Sequence, residues 1–204
     1  MPRPGQAARR IGAGCVKSRG ALFLDRDGVI NRYRRGGVLS LEEFEYYDGT
    51  PEGLRRLAAL GMPLAVVTNQ SAVGRGSTTS EEVERIHRKL RDDASSWGVS
   101  IAATEYCPHL PDGGCSCRKP GVGLFEKIAR ELDIDLESSV LIGDSPCDIE
   151  AACRLGMTSI RVLTGRGEEP LGEGDGADHV AEDLVAAAAW LERVRESEVE
   201  TDRQ

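Results

Sequence analysis

The chain has few aromatic residues, few histidines and no long apolar run. Aromatic side chains make up 4% of its 204 residues and there are 3 histidines, so we expect a core of Ala, Leu, Val and Ile. No apolar run reaches the roughly 18 residues that a membrane-spanning helix needs, and we therefore expect no membrane partner. A chain of this length fits one domain with a sizeable core.

Positive charge is also in the minority. Lys and Arg total 26 against 34 Asp and Glu, a formal net charge of −8. Nucleic-acid binding needs a basic surface, so we expect no nucleic-acid partner, although a local cluster of cations could still bind a small phosphorylated molecule. The N-terminus is basic without the apolar stretch of a signal peptide. We therefore expect residues 1–19 to be a flexible basic leader on a cytoplasmic protein.

Short apolar runs alternate with helical patterns, which is typical of an α/β fold with a mostly parallel sheet. Strands are predicted at 21–24, 64–67, 101–106, 140–142 and 159–163, with an edge strand near Val180. Helices are predicted after Pro51, after a Thr79–Glu82 capping box, over 122–132, after a Ser145–Asp148 capping box and through Trp190. We expect one domain over 20–197, a loop over 165–178 and a frayed tail over 198–204.

Two carboxylates follow the first predicted strand, in the sequence Asp25-Arg-Asp27-Gly. The first can attack phosphorus, and the second can protonate the leaving oxygen and then deprotonate water. Taken alone, the pair could equally be turn residues. Thr68 and Asp144 also follow predicted strands, and the carboxyl ends of parallel strands meet at one edge of the sheet. Carboxylate oxygens at that edge would suit Mg²⁺.

A second metal site is predicted from three thiols and one imidazole that lie close together in the sequence. The ligands would be Cys107, His109, Cys115 and Cys117. Four such ligands complete tetrahedral zinc and leave no position for water, so this zinc would be structural. Unrelated cysteines or a labile disulfide are the alternatives, and a reducing cytoplasm favours the metal. The ligands directly precede Arg118 and Lys119, so the loop would position both residues.

The motifs together resemble the haloacid dehalogenase (HAD) superfamily over roughly residues 21–163. The residues that carry the resemblance are Asp25, Asp27, Gly28, Thr68, Asn69, Lys119, Gly143 and Asp144. It implies a HAD-like Rossmannoid three-layer sandwich, and the motif spacing leaves no room for a large cap domain. It also implies a phosphatase with Asp25 as the nucleophile and Asp27 as the general acid/base.

The resemblance assigns the remaining site residues and the cofactors. Phosphate would be bound by Thr68, Asn69 and Lys119. Magnesium would be held by Asp25, the backbone carbonyl of Asp27, and Asp144. The cofactors would be catalytic Mg²⁺ and structural Zn²⁺.

The zinc loop and the following Arg118-Lys-Pro narrow the resemblance to two groups, the heptose-bisphosphate phosphatases and the histidinol phosphatases. The stretches 25–31 and 68–76 are more similar to the former, so we expect a monomer that removes the 7-phosphate of a heptose bisphosphate. Histidinol phosphate or another small metabolite is the alternative substrate, and a non-catalytic zinc interaction module the remote alternative. Expected substrate contacts are Gln70, Ser71, Arg118, Arg34 and Arg35, although a solvated basic loop would also explain Arg34 and Arg35.

Overall fold

The computed structural model describes residues 19–167 and 176–201. At its centre lies a six-stranded sheet in the order β3-β2-β1-β4-β5-β6, and every neighbouring pair of strands is parallel. The strands are β1 Leu22–Leu24, β2 Leu64–Asn69, β3 Ile101–Cys107, β4 Val140–Gly143, β5 Thr158–Val162 and β6 His179–Ala181. All six predicted strands are therefore confirmed, including the edge strand at Val180.

The helices are α1 Thr50–Ala59, α2 Ser71–Gly74, α3 Ser80–Ser96, α4 Gly123–Leu132, α5 Pro146–Leu155 and α6 Leu184–Thr201. Two of the helices, α3 and α5, begin at the capping boxes predicted from the sequence. The Thr79 side chain accepts a hydrogen bond from the backbone N–H of Glu82, and Ser145 and Asp148 form a reciprocal capping box. Both features satisfy N–H groups that a helix start leaves unpaired.

A few elements differ from the sequence prediction. The four-residue helix α2 and a single 3-10 turn at Leu41–Glu43 were not predicted, because such short elements carry no helical periodicity. The backbone of α6 is helical as far as Thr201, whereas we expected a frayed tail from residue 198 onward. Residues 1–18 of the expected leader and residues 168–175 of the expected loop lie outside the described residues.

The sheet is buried between two layers of helices, which confirms the three-layer sandwich. Leu22 and Leu24 of β1 face a cluster formed with α1, α3 and α6. Phe23 points to the opposite side, against α4 and α5, where its ring meets Phe125 edge-to-face at 5.2 Å between centroids. Because side chains alternate along a strand, an uninterrupted apolar strand needs cover on both faces, and this fold provides it.

The order of the strands decides where a ligand can bind. The chain runs outward from β1 to β3 and then returns to add β4 on the other side of β1. Sheets of this kind open a crevice at the carboxyl ends of the strands where the order reverses. Within the described ranges no inserted domain covers that edge, as the motif spacing predicted. In the same ranges, no helix combines the length and apolar character needed to cross a bilayer.

Candidate active site

The predicted motif residues converge on one cleft of about 240 Å³ at the carboxyl ends of β1, β2 and β4. Ten predicted site residues line it: Asp25, Asp27, Arg34, Thr68, Asn69, Gln70, Ser71, Arg118, Lys119 and Asp144. Arg35 is exposed and is not among the lining residues. The arrangement therefore gathers every predicted catalytic and phosphate-binding side chain in one place.

Three buried carboxylates lie at the bottom of the cleft. One oxygen each of Asp25, Asp144 and Asp148 falls within 4.8 Å of the others. Burial raises the pKa of Asp25 to about 6 and that of Asp144 to about 8, and repulsion within the cluster adds to both shifts. Such a set is stable in its charged form only beside positive charge. Oxygen donors with this excess of negative charge fit a hard divalent cation such as Mg²⁺.

Asp144 is held in place by backbone on two sides. A Cβ atom at Gly28 would lie 2.0 Å from its Oδ2 atom, and a Cβ at Gly165 would lie 2.3 Å from the same atom. Both glycines have a positive backbone φ angle, +97° and +63°, which residues that carry a side chain rarely adopt. The backbone N–H of Arg166 donates to Oδ2 at 2.7 Å. The position of this carboxylate therefore depends on close approach of two glycine backbones.

Lys119 provides the compensating charge. Its ammonium nitrogen lies 2.9 Å from Asp25 Oδ1 and 2.6 Å from Asp148 Oδ1, and it donates to the carbonyl of Val67 at 2.7 Å. Burial alone would lower the pKa of Lys119, but attraction to Asp148 and Asp25 raises it above its usual value. The ammonium group is thus charged and oriented toward the nucleophile predicted from the sequence.

Asp148 is the main site residue that the sequence interpretation missed. Its Oδ2 atom caps α5 by accepting from the Ser145 N–H at 3.1 Å, which is the helix-cap role expected from the sequence. Its Oδ1 atom in addition forms the ion pair with Lys119. A capping residue in the third helical position reaches back toward the strand that precedes the helix. The sequence offered one signal for this role, since Asp148 follows Asp144 by only four residues.

Asp27 has a different environment from Asp25. Its two oxygens accept from Arg26 Nε and Nη2, both at 3.0 Å, from Asn31 Nδ2 at 2.9 Å and from Gln70 Nε2 at 2.8 Å. Burial acts to raise the pKa of Asp27, but the Arg26 charge and these hydrogen bonds outweigh it and hold the pKa below its usual value. Two neighbouring carboxyl groups with opposite shifts are suited to different roles in one reaction.

Asn69 and Gln70 contact protein groups within the site. The Asn69 side chain donates to the Lys119 carbonyl and accepts from the Lys119 N–H, both at 3.0 Å, which ties the Lys119 loop to the end of β2. Gln70 Nε2 donates to Thr68 Oγ1 at 3.0 Å as well as to Asp27. A direct phosphate contact from Asn69, or a substrate contact from Gln70, stays a prediction.

The rim of the cleft is more basic than its floor. Arg118 lines it, and its Nη1 atom is buried without a hydrogen-bond partner among the described residues. The Arg34 side chain is exposed and donates from Nε to the Glu43 carbonyl at 3.0 Å. Eight further lining residues were not selected from the sequence: Tyr33, Gly36, Gly37, Ala72, Arg75, Ser145, Cys147 and Arg166. Five of these eight lie in loops, where no periodic pattern predicts the fold, whereas Ala72 is on α2 and Ser145 and Cys147 are at the start of α5.

The four predicted zinc ligands form a compact cluster beside this cleft. The Cys107 sulfur lies 3.3 Å from that of Cys117 and 3.6 Å from that of Cys115, and His109 Nδ1 lies 3.1 Å from the Cys117 sulfur. In tetrahedral zinc with bonds of about 2.3 Å, sulfur ligands are about 3.8 Å apart, so the set fits this metal. All three cysteines are free thiols here, which disfavours the disulfide alternative.

Comparison with known proteins identifies relatives along most of the chain. A family model described as HAD-hydrolase-like matches residues 116–187. The D-glycero-beta-D-manno-heptose-1,7-bisphosphate 7-phosphatase of Pseudomonas putida is 39% identical over 171 residues, which cover 83% of this chain and 98% of the relative. The corresponding alpha-anomer 7-phosphatase of Photorhabdus laumondii is 37% identical over 142 residues, covering 66% of this chain and 77% of the relative.

A solved structure supports the same relationship. The D,D-heptose 1,7-bisphosphate phosphatase of B. bronchiseptica, crystallised with magnesium and phosphate, superposes with a TM-score of 0.77 at 35% identity. The alignment covers 85% of this chain and 98% of that one.

Proposed function

Because the chain belongs to the HAD-like hydrolase family, among its phosphatases, we propose that it removes the 7-phosphate of D-glycero-D-manno-heptose 1,7-bisphosphate. The observation that carries this proposal is the contact between Lys119 and Asp25 within a buried carboxylate cluster, at the floor of a cleft with a basic rim. Relatives named for both the beta and the alpha anomer resemble the chain, so either anomer is a candidate substrate.

We propose that the first half-reaction forms an aspartyl phosphate. Among the described residues, both side-chain contacts of Asp25 use Oδ1, which leaves Oδ2 for attack on phosphorus. A bond forms between Oδ2 and phosphorus while the bond from phosphorus to the sugar oxygen breaks, and that oxygen takes a proton from Asp27. Asp27 is ionised in the free protein. It takes up a proton from solvent as the substrate binds, because the negative charge of the phosphoryl group favours the protonated form. Lys119 and the hydroxyl of Thr68 stabilise the phosphoryl oxygens.

The second half-reaction returns the enzyme to its starting state. Asp27, now a carboxylate, takes a proton from water, and the water oxygen attacks phosphorus as the bond to Asp25 breaks. Inorganic phosphate and the free Asp25 carboxylate result, and Asp27 releases its proton to solvent as the phosphate leaves. We propose that Mg²⁺ is held by Asp25, Asp144 and the Asp27 carbonyl; it supplies positive charge that offsets repulsion between carboxylates and phosphate.

We further propose that Cys107, His109, Cys115 and Cys117 hold a structural zinc. Cys107 ends β3 and its carbonyl accepts from the Gln70 N–H at 2.8 Å, while Cys117 directly precedes Arg118. The metal would therefore fix the loop that carries Arg118 and Lys119 against the end of β2. We also propose that the protein works as a cytoplasmic monomer on a small sugar bisphosphate.

The decisive experiment measures phosphate release by the purified protein with Mg²⁺. The substrates are both anomers of the heptose bisphosphate and histidinol phosphate, and ³¹P NMR identifies the phosphate removed. We expect the highest kcat/KM for a heptose bisphosphate and exclusive loss of its 7-phosphate. Asp25→Asn should lower kcat at least about 10³-fold while the fold is retained. A higher kcat/KM for histidinol phosphate would refute the proposed substrate. Retained activity of Asp25→Asn would refute the assignment of Asp25 as the nucleophile.

A further inference from the structure

Arg75 connects two segments that line the cleft from different parts of the chain. It follows α2 directly, one helical turn after Ser71. Its Nη1 atom donates to the Ser71 hydroxyl at 2.7 Å and its Nη2 atom donates to the Gly36 carbonyl at 2.8 Å. A guanidinium group presents its donors in a fixed plane, so one Arg side chain can hold two acceptors at a defined spacing.

The segment that Arg75 holds is weakly attached elsewhere. We call residues Tyr33–Gly37 the rim loop; Tyr33, Arg34, Gly36 and Gly37 line the cleft, and most of the loop is exposed. Within the described parts of the chain, it makes two side-chain hydrogen bonds to other segments. One runs from Arg34 Nε to the Glu43 carbonyl, and the other is the bond from Arg75. Exposed segments with few such bonds unfold locally at little cost in free energy. Loss of the bond from Arg75 should therefore make the rim loop open more often.

We propose that Arg75 is a positioning residue that latches the rim loop to α2 and thereby selects substrates that extend beyond the reacting phosphoryl group. The inference rests on the proposed function, because it assumes a substrate whose second anionic group reaches the rim. Within the described part of the chain, Arg75 forms hydrogen bonds with Ser71 and Gly36 and none with Asp25, Asp27 or Lys119. Through its two bonds Arg75 sets the placement of Ser71 and of the rim loop, which includes the cation Arg34.

Kinetics on two substrates of different size test the selection. The variants are Arg75→Ala and Arg75→Lys, compared on the heptose bisphosphate and on p-nitrophenyl phosphate, which has no second anionic group. We expect Arg75→Ala to raise KM for the bisphosphate about 10-fold, because the variant loses the hydrogen bonds of a charged guanidinium group. Its kcat should stay within about 3-fold of the wild-type value. kcat/KM for p-nitrophenyl phosphate should stay within about 2-fold. Arg75→Lys should restore little, because an ammonium group lacks the planar fork.

Proteolysis tests the latch without any substrate. The rim loop contains Arg34 and Arg35 in succession, which trypsin can cut when the backbone opens. We expect cleavage after these residues to be at least about 5-fold faster in Arg75→Ala than in the wild type, as measured by mass spectrometry of the fragments. Arg55→Ala is the matched control: Arg55 is also exposed, and it forms an ion pair with Glu52 on α1. Trypsin should cut the rim loop of Arg55→Ala at the wild-type rate.

Each outcome bears on a defined part of the inference. Unchanged cleavage in Arg75→Ala overturns the latch, whatever the substrate proves to be. Faster cleavage with equal losses on both substrates overturns the role in selection. If the wild type does not hydrolyse the heptose bisphosphate, the proposed function fails, but the proteolysis result still decides whether Arg75 holds the rim loop.

Discussion

The side-chain amide of Gln70 donates a hydrogen bond to the carboxylate of Asp27 at 2.8 Å. Its nitrogen also donates to Thr68 Oγ1, at 3.0 Å. Since the hydroxyl oxygen accepts this bond, its own hydrogen remains available to a phosphoryl oxygen. One buried amide therefore orients the proposed general acid/base and a proposed phosphate ligand together.

Replacement of Gln70 should uncouple these two groups. We expect Gln70→Ala to lower kcat on an alkyl phosphate about 10- to 100-fold, because a poorly placed acid cannot protonate a basic leaving oxygen. p-Nitrophenyl phosphate should lose much less, since its leaving group needs little protonation. Steady-state kinetics on both esters measures the difference. An equal loss on the two esters would argue against a role through Asp27.

Asp148 should matter for stability as well as for activity. Asp148→Ala removes the α5 cap and leaves the buried charge of Lys119 with Asp25 alone, so we expect a loss of about 3–5 kcal/mol in the free energy of unfolding. Urea denaturation measures it. Glu150→Ala is the control on the same helix, because Glu150 forms an exposed pair with Arg154 and should change stability by less than about 1 kcal/mol. Similar losses in both variants would contradict the role of Asp148.

Removal of one proposed zinc ligand should loosen the loop that precedes Lys119. In Cys115→Ser we expect a lower zinc stoichiometry, a lower Tm and a higher KM, since Arg118 follows the ligands directly. Zinc is measured by atomic emission and KM by phosphate release. Cys153→Ser provides the comparison, because Cys153 is exposed on α5 and outside the cluster. Full zinc content in Cys115→Ser would remove that residue from the ligand set.

His87 on α3 should make the fold sensitive to acid. It is fully buried, and neither ring nitrogen has a hydrogen-bond partner in the described part of the chain. Burial, with the nearby Arg26 and Arg91 charges, lowers its pKa to about 3. An unfolded histidine has a pKa of about 6.5, so the unfolded state binds more protons below that pH. Stability from the neutral His87 is therefore present above about pH 6.5 and is lost as the pH falls toward 3.

The variant His87→Leu isolates this contribution. The wild type should lose about 1.4 kcal/mol per pH unit relative to the variant between about pH 6 and pH 4. Near pH 8 the variant should be about as stable as the wild type, because no hydrogen bond is lost. Denaturant titrations at several pH values measure the difference. A difference in stability that stays constant across this range would refute the acid sensitivity of His87.

The sequence predicted the strands and the starts of helices α1, α3, α4 and α5 because these depend on local chemistry. Apolar runs, capping boxes and strand-terminal carboxylates need no knowledge of distant residues. The second role of Asp148 and the contacts of Arg75 could not be predicted in the same way. They depend on how Lys119 and Gly36, far along the chain, are placed by loops without periodic patterns.

The position of Asp144 between Gly28 and Gly165 has a consequence for genetic data. A single methyl group at either glycine would collide with the carboxylate. Substitutions there should inactivate the protein although neither residue takes part in bond making. Surveys of natural variants that score only the reacting side chains would classify such alleles as harmless. The damage would instead fall on the backbone that holds Asp144 in the proposed cation site.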